Sequence, residues 1–195
     1  AAHAWLTFIG NSIHPGTAKN KMINAGHLAM EFHQMLPPFL DPANTEGYEG
    51  FNHLSELHTS VEEAKAVYII RNHDMTLFNE QKNTFEMIAE FMNKKYGYQA
   101  VELTMKDTYY NMFEKIKPKM EIIDRAMNAI ESCGVKPFSS PIRGGTDGAR
   151  LTYEGLLCPN LGTGGFQFHG RLEFASIQQM EKALDIMIQI IKNAK

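Results

Sequence analysis

The stretch Ala64 to Arg71 reads AKAVYIIR, and nothing else in the chain restricts the fold as much. On an extended backbone Val67 and Ile69 point to one side and Tyr68 and Ile70 to the other, so a strand here is apolar on both faces and belongs inside a sheet. Its neighbours are legible. Ala4 to Ile9 is apolar over strand length and stops at the turn pair Gly10-Asn11, while Phe51 to Ser60 forms a second strand joined to Ala64 by a short polar link. Val101, Leu103 and Met105 alternate with Glu102, Thr104 and Lys106, the pattern of a half-buried strand. Two helices are interleaved with these strands. From about Lys21 the apolar residues Met22, Ala25, Ala29, Phe32 and Leu36 recur at helical spacing until Pro37-Pro38 forbids continuation. Asp74 caps a second helix that buries Phe78, Phe85, Ile88 and Met92 and stops at Gly97. The order βαββαβ closes as an antiparallel sheet with two helices on one face, the ferredoxin-like arrangement.

After Asn111 the pattern changes. Met120, Ile123, Met127 and Ile130 mark a helix ended by Gly134, and Ser176 with Gln179 forms a capping box for a last helix carrying Ile177, Met180, Leu184, Met187, Ile188 and Ile191. Between them lie glycine-rich pieces with two or three short apolar runs, resembling part of an α/β sheet whose ligands sit at strand ends. Two helices cannot cover both faces of a parallel sheet, so this zone reads as half of something. The chain also opens AAHAWLTFIG, already strand-like and without a signal-peptide pattern, as a cut chain does.

Composition removes several function classes. A net charge of -3 from 19 basic and 22 acidic residues leaves no cationic surface for nucleic acid or anionic lipid. No apolar run approaches the roughly 18 residues of a membrane span. Cys133 and Cys158 are too few and too far apart for a disulfide scaffold or a paired-cysteine metal site, which suits two reduced thiols in a cytosolic protein.

Three segments hold residues able to do chemistry. In NSIHPGTAKNKMINA, His14 follows the first strand and Pro15-Gly16 holds it on a turn, poised to bind a carboxylate or donate to an oxyanion; a loop histidine without a task fits equally well. In PIRGGTDGARL, Arg143 precedes two glycines and offers a bidentate fork to a carboxylate, unless Asp147 pairs with it or caps the next turn. In NLGTGGFQFHGRLEF, His169 stands among glycines as a zinc ligand with Glu173 as an outer partner, or as a satisfied loop histidine. Zinc needs three or four protein ligands, and this zone offers one histidine. His27, His33, His53, His58 and His73 lack convergent partners and read as surface or packing residues.

Taken in order, NSIHPGTAKNKMINA, TEGYEGFNHL, VYIIRNHD, TYYNM, PIRGGTDGARL, LLCPNLGTGG and FHGRLEF resemble the tripeptide aminopeptidases of the dinuclear-zinc aminopeptidase and carboxypeptidase superfamily, over nearly the whole chain. The resemblance implies a lid or dimerisation domain over residues 1–112, followed by the C-terminal part of a zinc-binding α/β catalytic domain over 113–195. It implies that His169 is a zinc ligand, that Arg143 holds the substrate's carboxylate, and that His14 reaches into the partner subunit's site to bind the scissile carbonyl oxygen. Arg71 matches a substrate-binding arginine. The family's other metal ligands and its general base have no counterpart here, so this chain alone is expected to be inactive, the intact enzyme being a cytoplasmic homodimer that cleaves tripeptides with two zinc ions. The competing reading is a non-catalytic dimerisation or binding module of the same family.

Overall fold

The computed structural model describes residues 1–194, which form two compact units, one spanning Ala1–Tyr110 and one beginning at Asn111. The first unit runs β1 (Ala2–Ile9), α1 (Ala25–Met35), β2 (Phe51–Thr59), β3 (Glu63–Arg71), α2 (Met75–Tyr96) and β4 (Val101–Asp107). The strands pair antiparallel in the order β2-β3-β1-β4, which is the ferredoxin-like topology expected from the sequence. β3 is paired on both edges, by β2 and β1, as a strand inside the sheet is.

Both helices cover one face. Ala2, Ala4, Leu6 and Phe8 of β1 and Ala64, Ala66, Tyr68 and Ile70 of β3 are buried beneath Leu28, Ala29 and Phe32 of α1 and Phe78, Phe85, Ile88 and Met92 of α2. Phe32 is the centre of this core, its ring lying 5.7 Å from Phe8, 5.7 Å from Phe85 and 6.3 Å from Tyr68. Burying each such side chain contributes about 1.5–3 kcal/mol. On the other face Trp5 stays 41% exposed and Val67 and Ile69 are half-buried, so the second apolar face of β3 is only partly covered within the unit.

Cap chemistry sets the helix limits. α1 begins at Ala25 rather than near Lys21, because Ile23 is drawn into an antiparallel bridge with Asn11 and the Asn24 side chain then accepts the Gly26 N–H at 2.9 Å. Asp74 accepts the N–H groups of Thr76 and Leu77, and Gly97 ends α2 in the left-handed conformation at φ 76°.

The second unit contains α3 (Phe113–Ile116), α4 (Glu121–Ser132), α5 (Asp147–Tyr153), β5 (Gly165–Phe166), β6 (Phe174–Ala175) and α6 (Ile177–Lys192). α4 and α6 form where the periodicity indicates helices, and they pack against each other. Three details differ from the sequence reading. The only strands among the described residues of this unit are two residues long, because a strand needs a paired neighbour and β5 and β6 find only each other. Thr146, not Asp147, caps a short helix inside the PIRGGTDGARL segment. At α6, Ser176 accepts from Gln179 N–H as a capping box should, but its own N–H goes to the Gly164 carbonyl at 2.9 Å and not to the Gln179 side chain. The apolar positions of α6 stay open, with Ile177 69% and Ile191 72% exposed.

Candidate functional site

His14 is displayed by a loop closed at its base. After β1, Asn11 and Ile23 exchange backbone hydrogen bonds of 2.7 and 3.1 Å, and the Asn11 side chain donates to the Lys21 carbonyl at 2.8 Å. Gly10 makes this closure possible, since a Cβ there would stand 2.2 Å from the Val61 carbonyl oxygen and 2.5 Å from that of Ile23. Within the loop Pro15 starts a single 3-10 turn through Thr17, with His14 extended ahead of it as residues before proline are. The His14 carbonyl accepts the Thr17 N–H at 2.9 Å, and its ring Nδ1 accepts the Gly16 N–H at 3.1 Å. The imidazole is exposed but held.

Arg71 ends β3 and is half-buried, with its guanidinium carbon 5.5 Å from the Phe51 ring centroid and 5.9 Å from that of Tyr109. Burial pushes the Tyr109 hydroxyl above its usual range, and the Arg71 charge opposes that shift. Nearby, the Lys82 amine lies 3.0 Å from Asp107, which also accepts the Tyr110 hydroxyl at 2.9 Å. Arg71 stands out in the sequence only through the family resemblance, and its aromatic seat is not legible there because Phe51 and Tyr109 are far from it along the chain.

Sheet register separates these two residues. β1 and β3 pair antiparallel from Ile9 opposite Glu63 to Ala2 opposite Ile70, so the His14 loop leaves one end of the sheet and Arg71 stands at the other. The intervening strand length is about 23 Å at about 3.3 Å per residue. The bridge at Asn11 anchors the loop on its own end, and the three residues from there to His14 reach at most about 10 Å. One copy of this unit therefore does not bring His14 and Arg71 to the same bond.

In the second unit Arg143 lies half-buried in the irregular segment before α5. His169 is exposed at the tip of the β5–β6 hairpin with φ 64°, two residues after Gln167 at φ 54°. Left-handed backbone at two non-glycine residues carries strain and needs enforcement. Here it comes from the Glu173 carboxylate, which accepts the His169 backbone N–H at 3.0 Å, and from the Gly170 N–H bonded to the Gln167 carbonyl at 2.9 Å. Glu173 thus holds the main chain at His169, where the sequence reading had it partnering the imidazole. Among the described residues no three His, Cys, Asp or Glu side chains converge as a metal site. A lone histidine with its neighbouring carboxylate bound to backbone does not make up a zinc ligand set, so these residues do not fit a complete metal centre.

Comparison with known proteins supplies the context. Residues 1–99 match the model of the peptidase dimerisation domain of the M20 family. Over 192 residues the chain is 53% identical to peptidase T of Bacillus thuringiensis (strain Al Hakam), covering 98% of this chain and 47% of that protein. In fold it matches a tripeptidase from Staphylococcus aureus (TM-score 0.79, 18% identity, 98% of this chain and 50% of that one) and the aminopeptidase PepT from Bacillus cereus ATCC 10987 (TM-score 0.74, 18% identity, 98% and 51%). The chain spans about half the length of the curated relatives it matches. With the match, residues 1–99, lying wholly within its first unit, the chain belongs to the M20 peptidase dimerisation domain family.

Proposed function

We propose that this chain supplies the lid, residues 1–112, and the C-terminal part of the catalytic domain, residues 113–195, of a tripeptide aminopeptidase that works as a cytoplasmic homodimer. The observation that carries this reading is the placement of His14 and Arg71 at opposite ends of one sheet. Side chains separated in this way do not meet at one bond within one copy, which supports a reading in which they come from different copies and the enzyme dimerises through the lid.

The sheet has one edge suited to that. On β4 the Asn93 side chain accepts the Val101 N–H at 2.8 Å and donates to the Val101 carbonyl at 3.0 Å, closing that edge where the strand begins. β2, at the opposite edge, borders an apolar groove of about 140 Å³ lined by Ala29, Met30, Leu54, Leu57 and Tyr68. Met30 is 54% and Leu57 44% exposed there. A second copy adding its β2 antiparallel and covering the groove satisfies both the open backbone and the apolar surface about a two-fold axis.

In the active dimer the His14 imidazole donates to the scissile carbonyl oxygen as negative charge develops on it, while Arg143 holds the carboxylate of the tripeptide with its planar fork and Arg71 binds a further part of the peptide. Zinc enters as the metal of the intact enzyme, with His169 among its ligands. No three metal-ligating side chains converge among the described residues, and without a complete two-metal site the chain alone is inactive toward tripeptides.

Steady-state kinetics of a full-length peptidase containing this sequence test the reading. His14→Ala should lower kcat on the order of 100-fold with little change in KM, whereas Arg143→Ala should mainly raise KM and abolish the preference for a tripeptide over its C-terminal amide. Wild-type kinetics in both variants would refute the two roles. A non-catalytic dimerisation module is favoured instead if the full-length protein dimerises but hydrolyses no tripeptide.

A further inference from the structure

The geometry points to Gly16 as a positioning residue that fixes the tautomer of His14, an inference that rests on the oxyanion-donor role proposed above. A backbone N–H only donates, and an imidazole nitrogen accepts only through a bare lone pair. With the Gly16 N–H bonded to Nδ1 at 3.1 Å, the single proton of the neutral ring sits on Nε2. The exposed face of His14 is then a donor with no lone pair to offer. It can bind a carbonyl oxygen or an oxyanion, and it cannot accept a proton from an attacking water.

The neighbours hold this hydrogen bond where a side chain on residue 16 would crowd it. Pro15 fixes the backbone angle ahead of Gly16, and the Thr17 N–H pins the His14 carbonyl at 2.9 Å, so ring and amide meet with little freedom. A Cβ on residue 16 would lie 3.2 Å from both Cε1 and Nδ1 of the ring, closer than ordinary contact, and would tilt the imidazole off the amide. Gly16 has an ordinary negative φ, so its lack of a side chain matters here for close approach and not for backbone freedom.

Nitrogen NMR on the chain with ¹⁵N-labelled histidine, at about pH 8.5 where imidazoles are neutral, reads the tautomer directly. His14→Ala identifies the resonance, and exposed His27 serves as an unrestrained reference. The expected result is a pyridine-like Nδ1 and a pyrrole-like Nε2 for His14, more fully polarised than at His27, and a shift toward the His27 pattern in Gly16→Ala with Trp5 fluorescence unchanged. A wild-type His14 that carries its proton on Nδ1, or matches His27, overturns the proposal. In the full-length peptidase Gly16→Ala should lower kcat on the order of tenfold with KM nearly constant, and His14→Gln, which retains a donor but no basic nitrogen, should keep more activity than His14→Ala. Equal losses in His14→Gln and His14→Ala overturn the donor assignment. A fixed Nε2–H tautomer combined with a His14→Ala enzyme of normal kcat supports the lock by Gly16 and overturns the catalytic role given to His14.

Discussion

Removing the Asn93 side chain tests whether the β4 edge is closed as the structure shows. Its amide makes two hydrogen bonds to the main chain of Val101, a residue only 2% exposed, so Asn93→Ala leaves an N–H and a carbonyl near the sheet edge without their partners. A typical net loss of about 1 kcal/mol per bond gives about 2 kcal/mol, rising toward 3 if water does not reach either group. Alanine in the last turns of α2 returns about 0.5 kcal/mol through helix propensity. The expected net loss is therefore about 1.5–2.5 kcal/mol. Urea unfolding followed by tryptophan fluorescence isolates this unit, because Trp5 is the only tryptophan and lies in β1, hydrogen-bonded directly to β4. Asn93→Asp separates the two bonds. Its carboxylate still accepts the Val101 N–H but turns a second oxygen toward the Val101 carbonyl, so its deficit relative to wild type should shrink below about pH 4, where the protonated acid regains a donor. Sedimentation velocity should also show more self-association in Asn93→Ala, since an opened edge pairs with other strands. A loss under 0.5 kcal/mol with unchanged association would refute the idea that this side chain closes the edge.

Further outcomes follow from the same contacts. Gly10→Ala places a methyl against the carbonyl oxygens of Val61 and Ile23, so the loop base should open, seen as faster amide exchange at Asn11 and Ile23 and a lowered Tm. Leu57→Lys puts a charge in the β2 groove and should raise the dissociation constant of the proposed dimer at least tenfold in sedimentation while leaving Trp5-detected stability within about 0.5 kcal/mol; unaltered association removes β2 from the proposed interface. Burial pushes the Asp107 carboxyl up, but bonds from Lys82 and Tyr110 outweigh it and hold it below its ordinary value of 3.8. Because the folded state favours the charged form, this contribution, about 1 kcal/mol or less for a partly exposed pair, is present above about pH 4 and lost as pH falls below 3.8. Asp107→Asn should flatten that part of the stability profile. Calorimetric titration of the chain with zinc should show no tight stoichiometric site dependent on His169, whereas a tight site lost in His169→Ala would mean that further ligands converge within these residues.

Local spacing determined the elements of the first unit and their order. The helix of Phe78, Phe85, Ile88 and Met92 between Asp74 and Gly97 formed with both predicted caps, and the two-faced apolar run of β3 placed it inside the sheet. These patterns are readable because each rests on contacts within one turn or one strand, where the side-chain period is set by the backbone itself. Motif order likewise pointed to the peptidase family, since it depends on residue identity alone. Tertiary structure decided what involves partners far apart in sequence. Ile23 leaves α1 because Asn11 bridges it, Arg71 gains its aromatic seat from Phe51 and Tyr109, and Asn93 closes an edge that only exists once β4 has paired with β1. The separation of His14 from Arg71 is of the same kind: two adjacent antiparallel strands share a register, and that register sends the two residues to opposite ends of the sheet although each sits at the end of its own strand or loop. In the second unit local pattern places α4 and α6 but not the strands, because the short apolar runs of a sheet become strands only when a neighbouring strand offers them hydrogen bonds.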